Sequence, residues 1–217
     1  AQEKMTPEIE AALEKASTLA EIEDIYRPFR PKRRTRASIA KEKGLEPLAD
    51  AIFAQTADSA SPAELAADYI DAEKGVETVE DAINGAMDII AENISDDADI
   101  RRRLRSLFTV AGVLQSRAAD SEKESVYTMY YEYDEPVNKI AGHRVLAVNR
   151  GENEGFLKVG IDVDRIKAMN IINANVLSDN GSACTDTVRD AAADAYDRLI
   201  FPSVEREIRN MITDSAV

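Results

Sequence analysis

The eleven residues from Tyr26 to Arg36 (YRPFRPKRRTR) hold six cations, Arg27, Arg30, Lys32, Arg33, Arg34 and Arg36, and no acid. Two readings of such a run stand side by side. Arginine and lysine clustered near helix ends neutralise phosphate charge without reading base sequence. The same side chains could instead fold over the remainder of the chain and pair with its carboxylates. That remainder is strongly acidic, because the whole chain carries 41 Asp and Glu against 27 Lys and Arg, a net charge of −14. An acidic field repels phosphate, which weighs against a general nucleic-acid-binding surface. The chain reads as one basic loop in an acidic molecule.

The other residue groups that could do chemistry point back to structure. Ile100 to Arg105 (IRRRLR) follows three aspartates, and the spacings Asp97 to Arg101 and Asp99 to Arg103 predict ordinary i, i+4 helix pairs. His143 is the only histidine and Cys184 the only cysteine. A histidine-rich metal site and an internal disulfide are thereby excluded, and nothing flanking the two resembles a nucleophile elbow or an oxyanion arrangement. The many acids form no calcium-loop pattern. Gly151-Glu-Asn-Glu-Gly155 lacks the Lys-Ser/Thr ending of a phosphate loop and reads as a turn. Tyr127, Tyr130, Tyr131 and Tyr133 could stack bases, but Glu132, Asp134 and Glu135 beside them favour core packing or a helix interface. The expectation is a chain with no catalytic residues, no metal site and no cofactor.

Helix signals dominate the elements that must position the basic segment. Thr6-Pro7-Glu8 opens one helix and the capping box Thr18-x-x-Glu21 a second, carrying Leu19, Ile22, Ile25 and Tyr26 until Pro28 and Pro31 stop it. After the basic run, Thr35 to Lys43 and Leu45 to Gln55 read as two short helices joined at Gly44, the second burying Leu45, Leu48, Ile52 and Phe53. Two helices joined so tightly suggest a helix-turn-helix. The second of them presents Glu46 and Asp50 and no cation, which makes it a poor reader of base edges.

Further on, Ser61-x-x-Glu64 starts a short helix. Thr78-x-x-Asp81 starts a long one, with Val79, Ile83, Met87, Ile90 and Ile94 on its apolar stripe. Ser95 is placed to cap a third, whose buried stripe is Ile100, Leu104, Leu107, Phe108, Ala111 and Leu114. Residues 121–133 read either as helix, from the Ser121-x-x-Glu124 cap, or as strand, from the β-forming VYTMYYEY; the cap favours helix. Gly142 to Asn153 predicts a helix closed near Gly151 or Gly155. The period-two alternation from Phe156 to Val163 fits a short strand. Thr185 to Ile200 and Ser203 to Thr213 predict two helices meeting at Pro202.

With 44% hydrophobic and 31% charged residues over 217 positions, the composition is that of a folded chain, not a disordered one. No window of about 18 apolar residues offers a membrane span. Ala1 to Thr18 is charged and helix-like, without the apolar run of a signal peptide. A lone cysteine suits a reducing cytoplasm. The start without methionine and the stop inside a helical pattern lead us to expect a piece excised from a longer protein.

Several runs together are similar to one known family. Ile25 to Ile52 (IYRPFRPKRRTRASIAKEKGLEPLADAI) resembles the most characteristic stretch of the N-terminal region of the bacterial Tex-family transcription accessory proteins. Glu135 to Val159 (EPVNKIAGHRVLAVNRGENEGFLKV) and Phe201 to Asn210 (FPSVEREIRN) are similar to later blocks of that region in the same order, whereas Asp71 to Asp99 adds little. The family is cytoplasmic, binds nucleic acid, and is related to the eukaryotic Spt-type elongation factor and histone chaperone. The resemblance implies a helical scaffold carrying a helix-turn-helix-like unit. It also implies that an RNase-H-like domain, a tandem helix-hairpin-helix and the OB-fold that carries most of the RNA binding lie outside this chain. It supplies no catalytic residue.

The expected architecture is therefore mainly α, a helical bundle with an inserted helix-turn-helix-like three-helix unit and one short β element. Residues 1–18 and 58–217 would form the scaffold and residues 19–57 the inserted unit with its basic loop. The expected role is a non-catalytic module that contributes sequence-independent nucleic-acid binding, with RNA favoured over DNA and bound mainly through the absent domains. The alternative is a protein-interaction scaffold that positions those domains and docks the transcription machinery. No membrane partner is expected.

Overall fold

A computed structural model describes residues 5–30 and 33–217, so Lys32 of the basic run lies outside the described residues. The architecture is mainly α, with a small three-stranded sheet. Among the described residues no helix is long and apolar enough to cross a membrane. The chain divides into two compact units: Ala1–Arg102 with Met169–Ile200, and Arg103–Ala168 with Phe201–Val217. Segment 19–57 lies wholly within the first, and 58–217 contributes to both.

The first unit is organised on one helix. Its elements are α1 (Pro7–Lys15), α2 (Leu19–Tyr26), α3 (Arg36–Glu42), α4 (Glu46–Ala54), α5 (Pro62–Ala66), α6 (Val79–Ser95), the start of α7 (Ala98–Ala111), most of α9 (Arg165–Val176) and α10 (Thr185–Asp194). Helix α6 is opened by the reciprocal Thr78–Asp81 capping box, and α3, α4, α5 and α10 all pack on it. The predicted stripe is displaced as a result. Ala82, Ala86, Ile89, Ile90, Ala91 and Ile94 are buried, while Val79, Ile83 and Met87 are only half-buried. Small residues let neighbours approach closely, and a Cβ on Gly85 would collide with Leu45. Helix α4 buries Leu45, Leu48, Ala49 and Ile52, but Phe53, expected inside, faces solvent because it is rotated about 100° from Ile52.

Gln55 closes α4 in the left-handed region (φ 48°) yet is 2% exposed. Its amide nitrogen donates to the carbonyls of Phe53 (3.1 Å) and Val176 (2.8 Å), and its amide oxygen accepts from the Ser178 N–H at 3.0 Å. Asn180 donates to the Gln55 carbonyl at 2.8 Å. A buried amide is tolerable only when its hydrogen bonds are made, and here they are. The α6–α7 junction also departs from expectation. Ser95 ends α6 and donates its hydroxyl to the Glu92 carbonyl, and it is the Asp97 carboxylate that accepts from Ile100 N–H at the start of α7. Near the end of this unit the chain passes from α10 into a π-helical turn, Ala195–Ile200, and helix α11 (Phe201–Asp214) begins before Pro202 rather than after it. The wider turn tolerates a proline that lacks the N–H an α-helical ladder would require.

The second unit holds the sheet, formed by β1 (Val113–Ala118), β2 (Glu132–Pro136) and β3 (Leu157–Asp162), all antiparallel in the order β2-β1-β3. Helix α8 (Gly142–Asn153) connects β2 to β3 and packs on β3, as does α11. Leu114, expected as the last apolar position of α7, instead faces the core from β1 with Val148, Leu157, Tyr127 and Tyr130. The helix stops at Ala111 because Gly112 turns the chain and gives its carbonyl to Val137 N–H at 2.9 Å. Residues 121–133 are neither continuous helix nor continuous strand: a 3-10 turn, Thr128–Tyr130, leads into β2. Aromatic packing outweighs the local cap signal, with Tyr130 edge-on to Tyr133 at 5.2 Å and Tyr127 against Phe156 at 5.8 Å. The helix at 142–153 and the strand within 156–163 form where expected.

A Cβ on Gly112 would overlap the Phe108 carbonyl, which is backbone and cannot swing away. Gly112→Ala is expected to lower stability by roughly 1–3 kcal/mol, read as a shifted urea midpoint followed by tyrosine fluorescence. Across β1 and β2, the Arg117 guanidinium donates to Asp134 at 2.7 Å and holds its carboxyl below the ordinary value of 3.8. That contribution to stability is present above pH 3.8 and is lost as pH falls through the depressed midpoint. In Arg117→Gln the Asp134 midpoint, followed by carboxyl NMR, is expected to rise toward 3.8.

Candidate nucleic-acid interface

The basic segment is held between two capped helices of the first unit. Upstream, Thr18 accepts from Glu21 N–H at 3.2 Å while the Glu21 carboxylate returns to Thr18 N–H, fixing the start of α2. The helix gives way to a 3-10 turn, Arg27–Phe29, closed by Arg30 N–H to the Arg27 carbonyl at 3.2 Å. Downstream, Thr35 and Ser38 exchange hydrogen bonds of 2.8 and 3.0 Å and set the first turn of α3. Arg33 and Arg34 thus precede a helix cap, and Arg36 occupies the first helical position. Cations near a helix start gain nothing from the backbone dipole, which favours acids there. Their position therefore does not stabilise α3.

Arg30, Arg33, Arg34 and Arg36 are exposed and Arg27 is half-buried. Arg34 reaches Glu42 at 3.5 Å, with both side chains more than half exposed, a pairing worth little in water. Among the described residues Arg30, Arg33 and Arg36 make no ion pair, although Arg36 is near enough to Asp88 to act on it electrostatically. Burial pushes the Asp88 carboxyl above its ordinary value, and Arg198 first and Arg36 second draw it back down. Most of the acidic remainder thus leaves the segment uncovered. Beside it a groove of about 620 Å³ runs between α1, α2, α3 and the end of α6, with Arg30 and Lys41 on its walls together with the acids Glu8, Glu92, Asp96 and Asp97.

The root of the segment is fixed by a contact that sequence spacing missed. Arg101 does not pair with Asp97 along α7. It turns inward, 1% exposed at its side chain, and its Nε donates to the carboxylate of Asp24 at 3.3 Å, itself 3% exposed. Its Nη1 also donates to the Ser95 carbonyl at 3.2 Å. Further along the helix, Asp99 binds Arg102 at 2.6 Å. Asp24 lies one turn before Arg27, so the buried pair ties the last turn of α2 to the α6–α7 junction and fixes where the cations begin.

The remaining candidates are structural in their surroundings. Tyr127 and Tyr130 are buried in the second unit, and Arg144 donates to the Tyr133 hydroxyl at 3.0 Å. Cys184 is fully buried in the first unit, its thiol 3.4 Å from the Ser59 hydroxyl, and His143 is exposed in the second. Gly151 leaves no room for a Cβ against Leu157 and, with Glu152 and Asn153, belongs to the last turn of α8 rather than to a separate turn; only Glu154 and Gly155, the latter with φ 79°, turn the chain away from the helix. Among the described residues no cluster of His, Cys, Asp or Glu is arranged to hold a metal.

Residues 57–217 match the family described as Tex central region-like. The chain belongs to the Tex family. Other relatives extend the similarity to nearly the whole chain, the basic segment included. The chain is 43% identical to the uncharacterized protein YdcI of Bacillus subtilis (strain 168) over 99% of its own length and 30% of that protein's. It is 34% identical to the transcriptional accessory protein Tex of Neisseria gonorrhoeae over 74% of its length and 21% of the relative's. It is 27% identical to the human S1 RNA-binding domain-containing protein 1 over 98% of its length and 22% of the relative's. The chain therefore spans less than a third of the length of each of these proteins.

Removing one partner of the Asp24–Arg101 pair takes this buried contact from the other charge. Arg101→Met or Asp24→Leu alone is expected to cost about 3–5 kcal/mol, and the two together far less. Thermal melts of the two single variants and the double variant check this; a double loss equal to the sum of the two single losses would show that the pair does not act as a unit.

Proposed function

We propose that this chain is a non-catalytic helical module of a Tex-like transcription accessory protein and contributes sequence-independent nucleic-acid contacts through its basic segment. The observation that carries the reading is the exposure of Arg30, Arg33, Arg34 and Arg36, with the single weak pair Arg34–Glu42 among the described residues. Cations that stabilise neither a helix end nor a buried network are available to phosphate. The outer face of α4, with Glu46, Asp50 and Phe53, offers no donor to a base edge, so the reading does not extend to sequence-specific DNA recognition. RNA is favoured over DNA by the relative named for an S1 RNA-binding domain. The lone, buried Cys184 supports a reducing cytoplasm.

A second reading draws on the same acidic outer face of α4 and the net charge of −14: a scaffold that positions the family's further domains and docks the transcription machinery. Salt dependence separates the two. If four to six of the cations engage a single strand, log K against log salt is expected to fall with a slope of about −3 to −4. Changing Arg33, Arg34 and Arg36 together to Gln is expected to reduce that slope by roughly 2. Fluorescence anisotropy of a labelled RNA across a salt series reads both numbers. Absence of binding at low salt, or a slope unchanged by the triple variant, favours the scaffold.

A further inference from the structure

Two aromatic rings are interleaved with the cations, and neither is part of a core. Tyr26, the last residue of α2, is 54% exposed, and Phe29, the last residue of the 3-10 turn, is 36% exposed. Arg27 and Pro28 separate them, and Arg30 follows. Leaving rings this large in water forgoes their burial. The turn that carries them is stiffened by Pro28, closed by the Arg30 to Arg27 hydrogen bond, and rooted one turn back in the buried Asp24–Arg101 pair. Rigid exposed rings alternating with arginines, on a stretch without acids, match the chemistry of a single strand, whose unpaired bases offer flat faces to stack and whose backbone offers phosphates. A duplex keeps its base faces stacked inside and offers this stretch phosphates alone.

We infer that Tyr26 and Phe29 form a base-stacking platform which, with Arg30, Arg33, Arg34 and Arg36, selects single-stranded over double-stranded nucleic acid. The inference rests on the basic segment being a phosphate-contact surface and adds what that reading lacks, a means of discriminating strand form. An apolar partner helix would also cover the rings, but it would leave the flanking arginines unmatched unless it were acidic. Charge complementarity with a polyanion accounts for rings and cations together.

The test compares the chain with the variant Tyr26→Ala/Phe29→Ala on three labelled probes: a 12-nucleotide single-stranded RNA, the same length with abasic sites throughout its centre, and a blunt duplex. The alanine pair is expected to bind the single strand roughly tenfold or more weakly, to bind the duplex within about twofold of the parent, and to keep the parent's salt slope. The parent should bind the abasic strand about as weakly as the variant binds the intact one. A second variant, Tyr26→Trp/Phe29→Tyr, should restore single-strand affinity and shows that loss in the alanine pair is not a folding defect. Unchanged single-strand affinity in the alanine pair, or equal loss on strand and duplex, overturns the platform and leaves this face to an acidic protein partner. If Arg33→Gln/Arg34→Gln/Arg36→Gln weakens all three probes while the aromatic variant weakens none, the platform falls and the phosphate reading stands. If the parent binds none of the probes, both fall.

Discussion

Helix α6 must be covered on several sides at once, and much of the first unit follows from that requirement. A helix with one apolar stripe needs one neighbour; α6 has α3, α4, α5 and α10 against it and buries alanines where a single-sided helix would carry charge. Small residues at 82, 85 and 86 bring Leu45 and its helix pair into close approach. Because α3 and α4 are placed by α6, so is the first turn of α3, and with it the downstream end of the basic segment. The upstream end is placed by Asp24 on Arg101, immediately beyond the C-terminus of the same helix. The cations are thus suspended between two anchors that trace back to one buried element.

Local signals written in consecutive residues were legible. The Thr18–Glu21 and Thr78–Asp81 boxes, the short helix following Thr35, the Gly44 turn and the strand within 156–163 all form where the residue pattern puts them. Side-chain partners far apart in sequence were not. Arg101 looks like a surface residue from its i, i+4 neighbours, and only the fold brings Asp24, 77 positions earlier, beneath it. Leu114 continues the α7 stripe in perfect helical period, yet Gly112 ends the helix two residues before it. In residues 121–133 a genuine cap signal lost to ring packing that no local rule encodes. The basic segment itself was plain in composition, but whether its cations face solvent or carboxylates depended on where the acids fell in space.

That distribution has an energetic meaning. Buried charge in this chain is matched closely, as Arg101 is by Asp24 and the Ser95 carbonyl. Partly buried charge is matched by networks: Arg198 grips Asp194 at 2.8 Å and approaches Asp88, and Arg209 in the second unit takes Glu152 at 2.5 Å together with Asn149. Arg30, Arg33 and Arg36 stand apart from those networks, without an ion pair among the described residues, in one short stretch beside two exposed rings.

The Gln55 clamp bears on how the chain is made. Its partners, the Val176 carbonyl and the Ser178 N–H, lie more than 120 positions downstream, and the whole of 103–168 belongs to the other unit. During synthesis α4 and α6 leave the ribosome well before α10, the helix that covers them. At about 5–20 residues per second the delay amounts to several seconds, during which the alanine-lined flank of α6 has no cover of its own. The seam where the two segments of this unit meet cannot form until both have been made, so the Gln55 contacts wait for residues 176–180.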